Sequence, residues 1–414
     1  MRRYVILMVL LGFFYNMAWS SGENESSASD VETIDLYYWD ENQKSAIDKI
    51  ISGFEEENPQ IKVIGTIVPW SQYWTKLQTT LTAGAGPDVF WLNAANAVQF
   101  IPAGLIYNIQ ELINEDRIDM SVMPDVSKEL YTYNGDLYGI PKDYDNVGLF
   151  YNKALFDKAG LSYPDSTWTW QDYRNTAIEL TIPGEQWGMW VSDFAYNAIT
   201  TCFIYQNGGQ IYNEAGTASA VNSPEAYEAV QFLYDCIYKY EAAPGGIQRN
   251  ELKEETVFSS GKLAMSIGGN WFVPPYFEAL GEDLGVAPLP KEKRRATIVH
   301  SLAWVMPSKS DSVESSWKFL KYLASKEAGV AQTDVVIPAY RGSEKKWLEK
   351  YPTLDLQVFI DAMEYGTPYP ISVKNGQSAE QAFLRELENI WFDVKDIQSA
   401  LIDAETAMNE AINN

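Results

Sequence analysis

The chain is poor in several residue types on which chemistry commonly depends. Among 414 residues there is one histidine, His300, and two cysteines, Cys202 and Cys236. That leaves too few ligands for an ordinary zinc site. Nucleophilic catalysis of the Ser-His-Asp kind would hang on His300 alone. No G-x-S-x-G, P-loop or metal-ligand cluster supports another chemistry. Positive charge is scarce: 31 Lys and Arg stand against 56 Asp and Glu, a net charge of −25. Such a surface repels phosphate backbones and anionic lipid, so neither nucleic acid nor a membrane surface is an expected partner. Beyond the N-terminus no apolar run is long enough to cross a bilayer. Short-period repeats and long low-complexity tracts are missing as well.

What is present describes a large globular protein. The chain is 46% hydrophobic and 21% charged, ample for a packed core. Its length points to two domains. Aromatic residues are abundant: 14 Trp, 26 Tyr and 17 Phe. Most belong to the core, but aromatic faces also stack on the apolar faces of sugar rings while nearby polar groups fix orientation. A secreted glycoside hydrolase would share this composition and use a pair of carboxylates. With 56 acidic residues, no pair stands out by its spacing.

The N-terminus carries an export signature. Arg2 and Arg3 precede the apolar run Tyr4 to Phe14, and Ala18 and Ser20 offer a small-residue cleavage site. Residues 1–20 therefore read as a signal peptide, since the run is short for a membrane anchor. Residues 21–30 are Ser- and Glu-rich and read as a flexible leader. No Cys lies near the cleavage site, which argues against a lipid anchor. In an oxidising compartment Cys202 and Cys236 can pair, and two buried free thiols are an equal alternative.

After the leader, strands and helices alternate. Thr33 to Trp39 reads as a strand, with Ile47, Ile50, Ile51 and Phe54 at helical spacing behind it. Ile61 to Val68 is a second strand, and Trp74, Leu77 and Leu81 mark a second helix. Asp88 to Leu92 is a third strand. This order implies a parallel sheet whose ligands bind beyond the carboxyl ends of the strands, at Trp39-Asp40, Trp70 and Asn93. Asn134-Gly135-Asp136 is a hairpin turn. Pro141 to Asn146 is a polar crossover, and Val147 to Tyr151 opens a second alternating region. Thr169 and Asp172 form a capping-box pair, and Ser223 caps a helix that starts with Pro224. Leu263 to Ile267 and Leu302 to Met306 are further strands. Val313 to Ala324 is a helix, and the last segment is helical through Phe383, Leu387, Ile390 and Trp391, then Leu401, Ala404, Met408 and Ile412.

Four stretches in this order carry a family resemblance. Gly86-Pro87-Asp88-Val89 opens the third strand. Asn134-Gly135-Asp136-Leu137-Tyr138-Gly139-Ile140-Pro141 leads into Leu149-Phe150-Tyr151-Asn152-Lys153. Phe258-Ser259-Ser260-Gly261-Lys262-Leu263-Ala264-Met265 runs into Ile267-Gly268-Gly269-Asn270-Trp271. Trp317-Lys318-Phe319-Leu320 follows Pro307-Ser308-Lys309. Together they resemble the extracellular solute-binding proteins of ABC importers, the family that includes maltose-binding protein. The resemblance implies an α/β protein with the two-lobed, type II periplasmic-binding-protein fold, hinge crossovers and a C-terminal helical segment. It implies lobes at 31–143 plus 300–345 and at 146–298 plus 346–414. A carbohydrate would lie between them and pass to the permease subunits of the importer. No cofactor, no metal and no catalytic residue is implied. The expected protein is a monomer, exported to the periplasm or beyond, with no stable membrane insertion.

Candidate ligand contacts follow, each with a structural alternative. Asp145 stands where the resemblance places an acidic sugar contact, and a carboxylate accepts hydrogen bonds from two hydroxyls. The alternative is an exposed hinge charge. Asp143 and Tyr144 read as structural neighbours. Trp271, after Gly268-Gly269, stands where the resemblance puts a stacking aromatic; a core Trp is its alternative. Asn270 binds a hydroxyl or closes the turn. Asp40 contacts ligand or caps a helix, and Trp39 and Trp70 contact ligand or pack. Asn93 is a hydroxyl partner at the exit of the third strand, where Trp91 is either contact or core. Asp193, with Tyr196, falls where the second lobe should contribute. Tyr369, in Thr367-Pro368-Tyr369-Pro370, is a further candidate. Many relatives carry glycines near His300-Ser301, so the resemblance implies no ligand contact there, and His300 reads as a polar residue beside the hinge, with a general base as its alternative.

Overall fold

The computed structural model describes residues 31–191, 199–370, 372 and 374–413. The signal peptide and leader read from the sequence, and Asp193 and Tyr196, lie outside the described residues. The strands in chain order are β1 (Glu32–Tyr38), β2 (Ile61–Ile67), β3 (Val89–Asn93), β4 (Thr132–Tyr133), β5 (Asp136–Leu137), β6 (Ile140–Pro141) and β7 (Asp145–Asn152). They continue with β8 (Met265–Gly269), β9 (Leu284–Ala287), β10 (Thr297–His300), β11 (Leu302–Val305) and β12 (Gly366–Pro368).

The fold is two-lobed. One sheet runs β2-β1-β3-β11-β6. β1 pairs parallel with β2 and β3, as the β-α-β-α-β order requires. Helices Lys44–Glu57 and Trp70–Ala83 form its crossovers. The first buries Ile47, Ile50 and Phe54 of the periodic face visible in the sequence, with Ala46 beside them and Ile51 half-buried. The second sheet runs β12-β10-β7-β8, with β9 also pairing β7. Its largest packed cluster joins β7 and β8 to helices Trp170–Glu179, Pro224–Tyr238, Gly376–Trp391 and Ile397–Asn413.

Local signals in the sequence act as expected. Asn134 and Gly135 both take positive φ, at 52° and 91°, and close the β4–β5 hairpin. Thr169 and Asp172 exchange the reciprocal bonds of a capping box, and the Ser223 side chain caps the helix that begins at Pro224. Cys202 and Cys236 are both free and buried, so of the two alternatives the thiols hold.

Three chain segments meet between the sheets. Pro141, at the end of β6 in the first sheet, leads through Lys142-Asp143-Tyr144 to β7 in the second. β10 and β11 also belong to different sheets, so the return crossing is Ser301 alone. The strip Ile337–Ala339 runs beside the first crossing: Tyr144 N–H donates to Ile337 O at 3.1 Å and Ala339 N–H to Lys142 O at 3.0 Å. The joint is dry. Lys142 and Asp143 are fully buried and paired at 2.5 Å. Leu302 N–H donates to Asp143 Oδ1 at 3.0 Å, and Ser301 Oγ donates to Asp143 O at 2.6 Å. A buried pair with its remaining lone pairs satisfied fixes geometry more than it adds stability.

Candidate functional site

The carboxyl ends of β1, β2 and β3 arrive at one edge of the first sheet, beside the joint. Register fixes this: Leu302 lies opposite Asn93, and His300 opposite Asp145. Trp39 follows β1 and Trp70 begins the helix after β2. Trp39 packs edge-on against Trp70 at 5.1 Å and is tilted against Trp74 at 5.6 Å, with Tyr73 at 4.9 Å and Trp91 at 5.0 Å. Trp70 is 39% exposed, and Trp39 and Trp74 are half-buried. The result is an aromatic wall with open surface.

Several expected contacts also hold structural places. Trp91 is wholly buried, with the Lys142 ammonium 4.5 Å above its ring. It is core because β3 lies inside the sheet, between β1 and β11. Asp40 accepts from Asn42 N–H and from Gln43 Nε2, both at 3.0 Å, and so caps a helical turn. Asn93 Oδ1 caps helix Ala94–Phe100 through Asn96 N–H at 3.0 Å. Tyr369 is buried, and its hydroxyl donates to Glu380. Trp271 is half-buried and folds back over Gly269, where a Cβ would come within 2.0 Å of its ring.

Asp145 and Asn270 form the polar heart of the joint. Asp145 is 7% exposed and Asn270 is fully buried. The Asn270 carbonyl oxygen accepts from Asn146 N–H at 3.3 Å. Asp145 Oδ1 and Asn270 Nδ2 are both buried and make no well-formed hydrogen bond, although the Asn270 amide lies close enough to act on the Asp145 carboxyl. Burial, then the nearby Asp143 charge, raises the Asp145 pKa well above the usual carboxylate range; Lys142 and Asn270 act against this. Across the β7–β10 pair, His300 Nδ1 lies 4.0 Å from Asp145 Oδ2. Burial pushes the His300 pKa down to about 4, Asp143 opposing, so His300 is neutral near pH 7.

The lobes also touch away from the joint. Helix Ala94–Phe100 of the first lobe packs on helix Gly376–Trp391 of the second. Ala95 is buried within the second-lobe core. A cavity of about 10 Å³ at this seam is lined by Ala95, Tyr369, Pro370, Gly376 and Glu380. A groove of about 800 Å³ opens elsewhere on the second lobe, bordered by Trp190, Lys253, Arg385 and Trp391, and no expected contact borders it. Among the described residues there is no group of His, Cys, Asp and Glu fit to hold a metal. No described helix is long and apolar enough to cross a membrane.

A family model described as bacterial extracellular solute-binding protein matches residues 38–330, more than half of the chain. The chain belongs to that family. This solute-binding protein is 25% identical to a maltodextrin-binding protein of Bacillus subtilis over 96% of its own length and 92% of the relative's. It is 28% identical to a galactooligosaccharide-binding protein of the same organism, over 65% and 63%. Among solved structures, an ABC substrate-binding protein from Listeria monocytogenes in complex with cycloalternan superposes with a TM-score of 0.86. That likeness covers 93% of the solute-binding protein and 100% of the Listeria chain at 27% identity.

Sequence reasoning missed three residues near this site. Trp74 marks the second helix in the sequence with Leu77 and Leu81, but the buried face is Tyr73, Leu77 and Leu81, and Trp74 joins the wall. His300 is the cross-strand neighbour of Asp145, a pairing 155 positions long that no local signal reveals. Glu380 looks in sequence like any acidic residue on a helix.

Proposed function

We propose that the protein is the solute-binding subunit of an ABC importer, and that it holds a carbohydrate between its lobes and hands it unaltered to a membrane permease. One observation carries the reading: Asp145 Oδ1 and Asn270 Nδ2 are buried at the joint without a well-formed hydrogen bond. Buried polar atoms left unpaired are costly and rare. An acceptor and a donor together suit a hydroxyl, and tryptophan faces suit the apolar side of a pyranose. Relatives named for galactooligosaccharide and maltodextrin binding support the choice of ligand class.

The lobes are assigned to 31–143 plus 300–345 and 146–298 plus 346–414. Asp40, Asn93, Asp145, Asn270, Trp39, Trp70 and Trp271 are assigned to the ligand, with Asp193 as a second-lobe contribution. Asp40 and Asn93 would contact it through the lone pairs or amide hydrogens their caps leave over. The protein acts as a monomer, exported by cleavage after Ser20, and is not inserted in the membrane. The test is isothermal titration of the mature chain with maltotriose, galactobiose and arabinobiose, followed by chromatography of the recovered sugar. Saturable binding with sugar recovered intact is expected. Hydrolysed sugar, or no binding by any member, would overturn the assignment.

A further inference from the structure

The return crossing between the sheets is Ser301 alone, and both its sides are pinned. His300 pairs with Asp145 in the second sheet, and Leu302 pairs with Asn93 in the first. Each residue has two soft backbone torsions. Rotation of one lobe against the other is therefore taken up, on this side of the joint, at Ser301 and its flanking peptides. Such a turn re-aims the Ser301 carbonyl relative to the first lobe.

Tyr131 holds that carbonyl from the first lobe. Its ring is fully buried in the first-lobe core. Its backbone is tied there as well: Tyr131 N–H donates to Lys128 O and Tyr138 N–H to Tyr131 O, both at 3.0 Å. Its hydroxyl lies 2.6 Å from Ser301 O and 2.9 Å from Leu92 O. Burial, then the Asp143 charge, raises the phenol pKa well above its ordinary value, so the oxygen keeps its proton. A phenol has one hydrogen to give. Two carbonyls share it here, one on β3 inside the first sheet and one on the crossing. When the crossing turns and Ser301 O moves away, the hydrogen falls to Leu92 O and the buried hydroxyl stays satisfied. Only the bond to Ser301 depends on how the lobes stand. In this structure they are in contact, with Ala95 of the first lobe buried in the second-lobe core. The bond to Ser301 therefore stabilises the closed arrangement.

We propose that Tyr131 is a positioning residue for ligand capture: its hydroxyl latches the Ser301 crossing when the lobes close, turns to Leu92 when they open, and so sets sugar affinity from a buried position behind the joint. This rests on the reading of a carbohydrate held between two lobes, and adds to it a residue that biases the closure. A ligand that binds the closed form is weakened in proportion to any loss of that form. Loss of one hydrogen bond of ordinary net strength is about a 3- to 10-fold effect.

The experiment compares the mature chain with Tyr131→Phe and Tyr238→Phe, each of which loses a hydroxyl and keeps its ring. Tyr238 is the control: its hydroxyl donates to Trp391 O at 2.7 Å, within the packed cluster of the second lobe. Affinity is measured by titration calorimetry with maltotriose, galactobiose and arabinobiose, and the unliganded chains by small-angle scattering. Tyr131→Phe should weaken every sugar the parent binds by one common factor, about 3- to 10-fold, because a change in closure is blind to which sugar is held. Tyr238→Phe, even where it melts lower, should bind as the parent does. The inference is overturned if Tyr131→Phe binds as tightly as the parent, weakens one sugar and spares another, or is matched by Tyr238→Phe. If the parent binds none of the three, the carbohydrate reading falls and scattering alone decides the latch. Unliganded Tyr131→Phe should then have a larger radius of gyration than the parent, and equal radii overturn the latch too.

Discussion

Residue chemistry at the joint is set by burial. His300 has its pKa lowered to about 4, against ~6.5 for an unfolded histidine. The unfolded chain therefore takes up a proton that the folded chain refuses. Stability from this group is complete above pH ~6.5 and is lost as pH falls toward about 4, by ~3 kcal/mol in all. Asp145, raised by burial, has the opposite sign: its contribution is present at low pH and fades as pH rises through the folded value. Comparing the parent with His300→Gln separates the two. The melting temperature of the parent, relative to the variant, should climb between pH 4 and pH 6.5; a flat difference would remove the argument. At this scale the sequence was only partly readable. Asp145 stands out in the sequence only through the resemblance, which places an acidic residue at its offset before Tyr151-Asn152. Asp40 and Asn93 were flagged as strand-end residues, but a strand end in this fold is also a helix start, and their oxygens are shared with caps. Trp91 could not be separated from Trp39, because burial of a strand's last residues depends on which strand pairs beyond it.

Elements were easier, since their signals are local. β1, β2, β3 and β11 and helix Val313–Leu323 lie within about a residue or two of where hydrophobic period and turn residues place them. Helix Trp70–Ala83 lies where its sequence markers place it, with Tyr73 and not Trp74 facing inward. Tyr73 hydrogen-bonds the Trp91 backbone through its hydroxyl, at 2.9 Å to the carbonyl oxygen, and so claims the inward position. The β8-to-Trp271 turn makes a sharp prediction. At Gly269 any Cβ would press on the indole at 2.0 Å. Gly269→Ala should cost about 1–3 kcal/mol in denaturant unfolding, the usual range for overpacking, and should weaken sugar binding by displacing Trp271. Unchanged stability with full affinity would mean that the indole is free to move and has no fixed role.

Over the whole molecule, the two-lobed plan was legible from the order of motifs, but the pairing that builds the joint was not. Ser301 is the entire link between strands of different sheets, and β11 joins the first sheet across more than two hundred positions from β3. Such pairings are chosen by tertiary packing, not by neighbours in sequence. A joint of three crossing segments permits the lobes to rotate as bodies. The radius of gyration of the mature chain in small-angle scattering should fall when a bound sugar is added, and an identical curve with and without it would contradict a clamp.

The two sulfhydryls deep in the second lobe have a practical consequence. Burial lifts both to about 12, so at neutral pH they stay protonated and shielded from alkylating reagents. A single cysteine engineered at the rim would then be the one site a maleimide dye labels. Movement of the lobes would alter the dye's surroundings, and the natural chain would become an optical sensor without first losing a native residue.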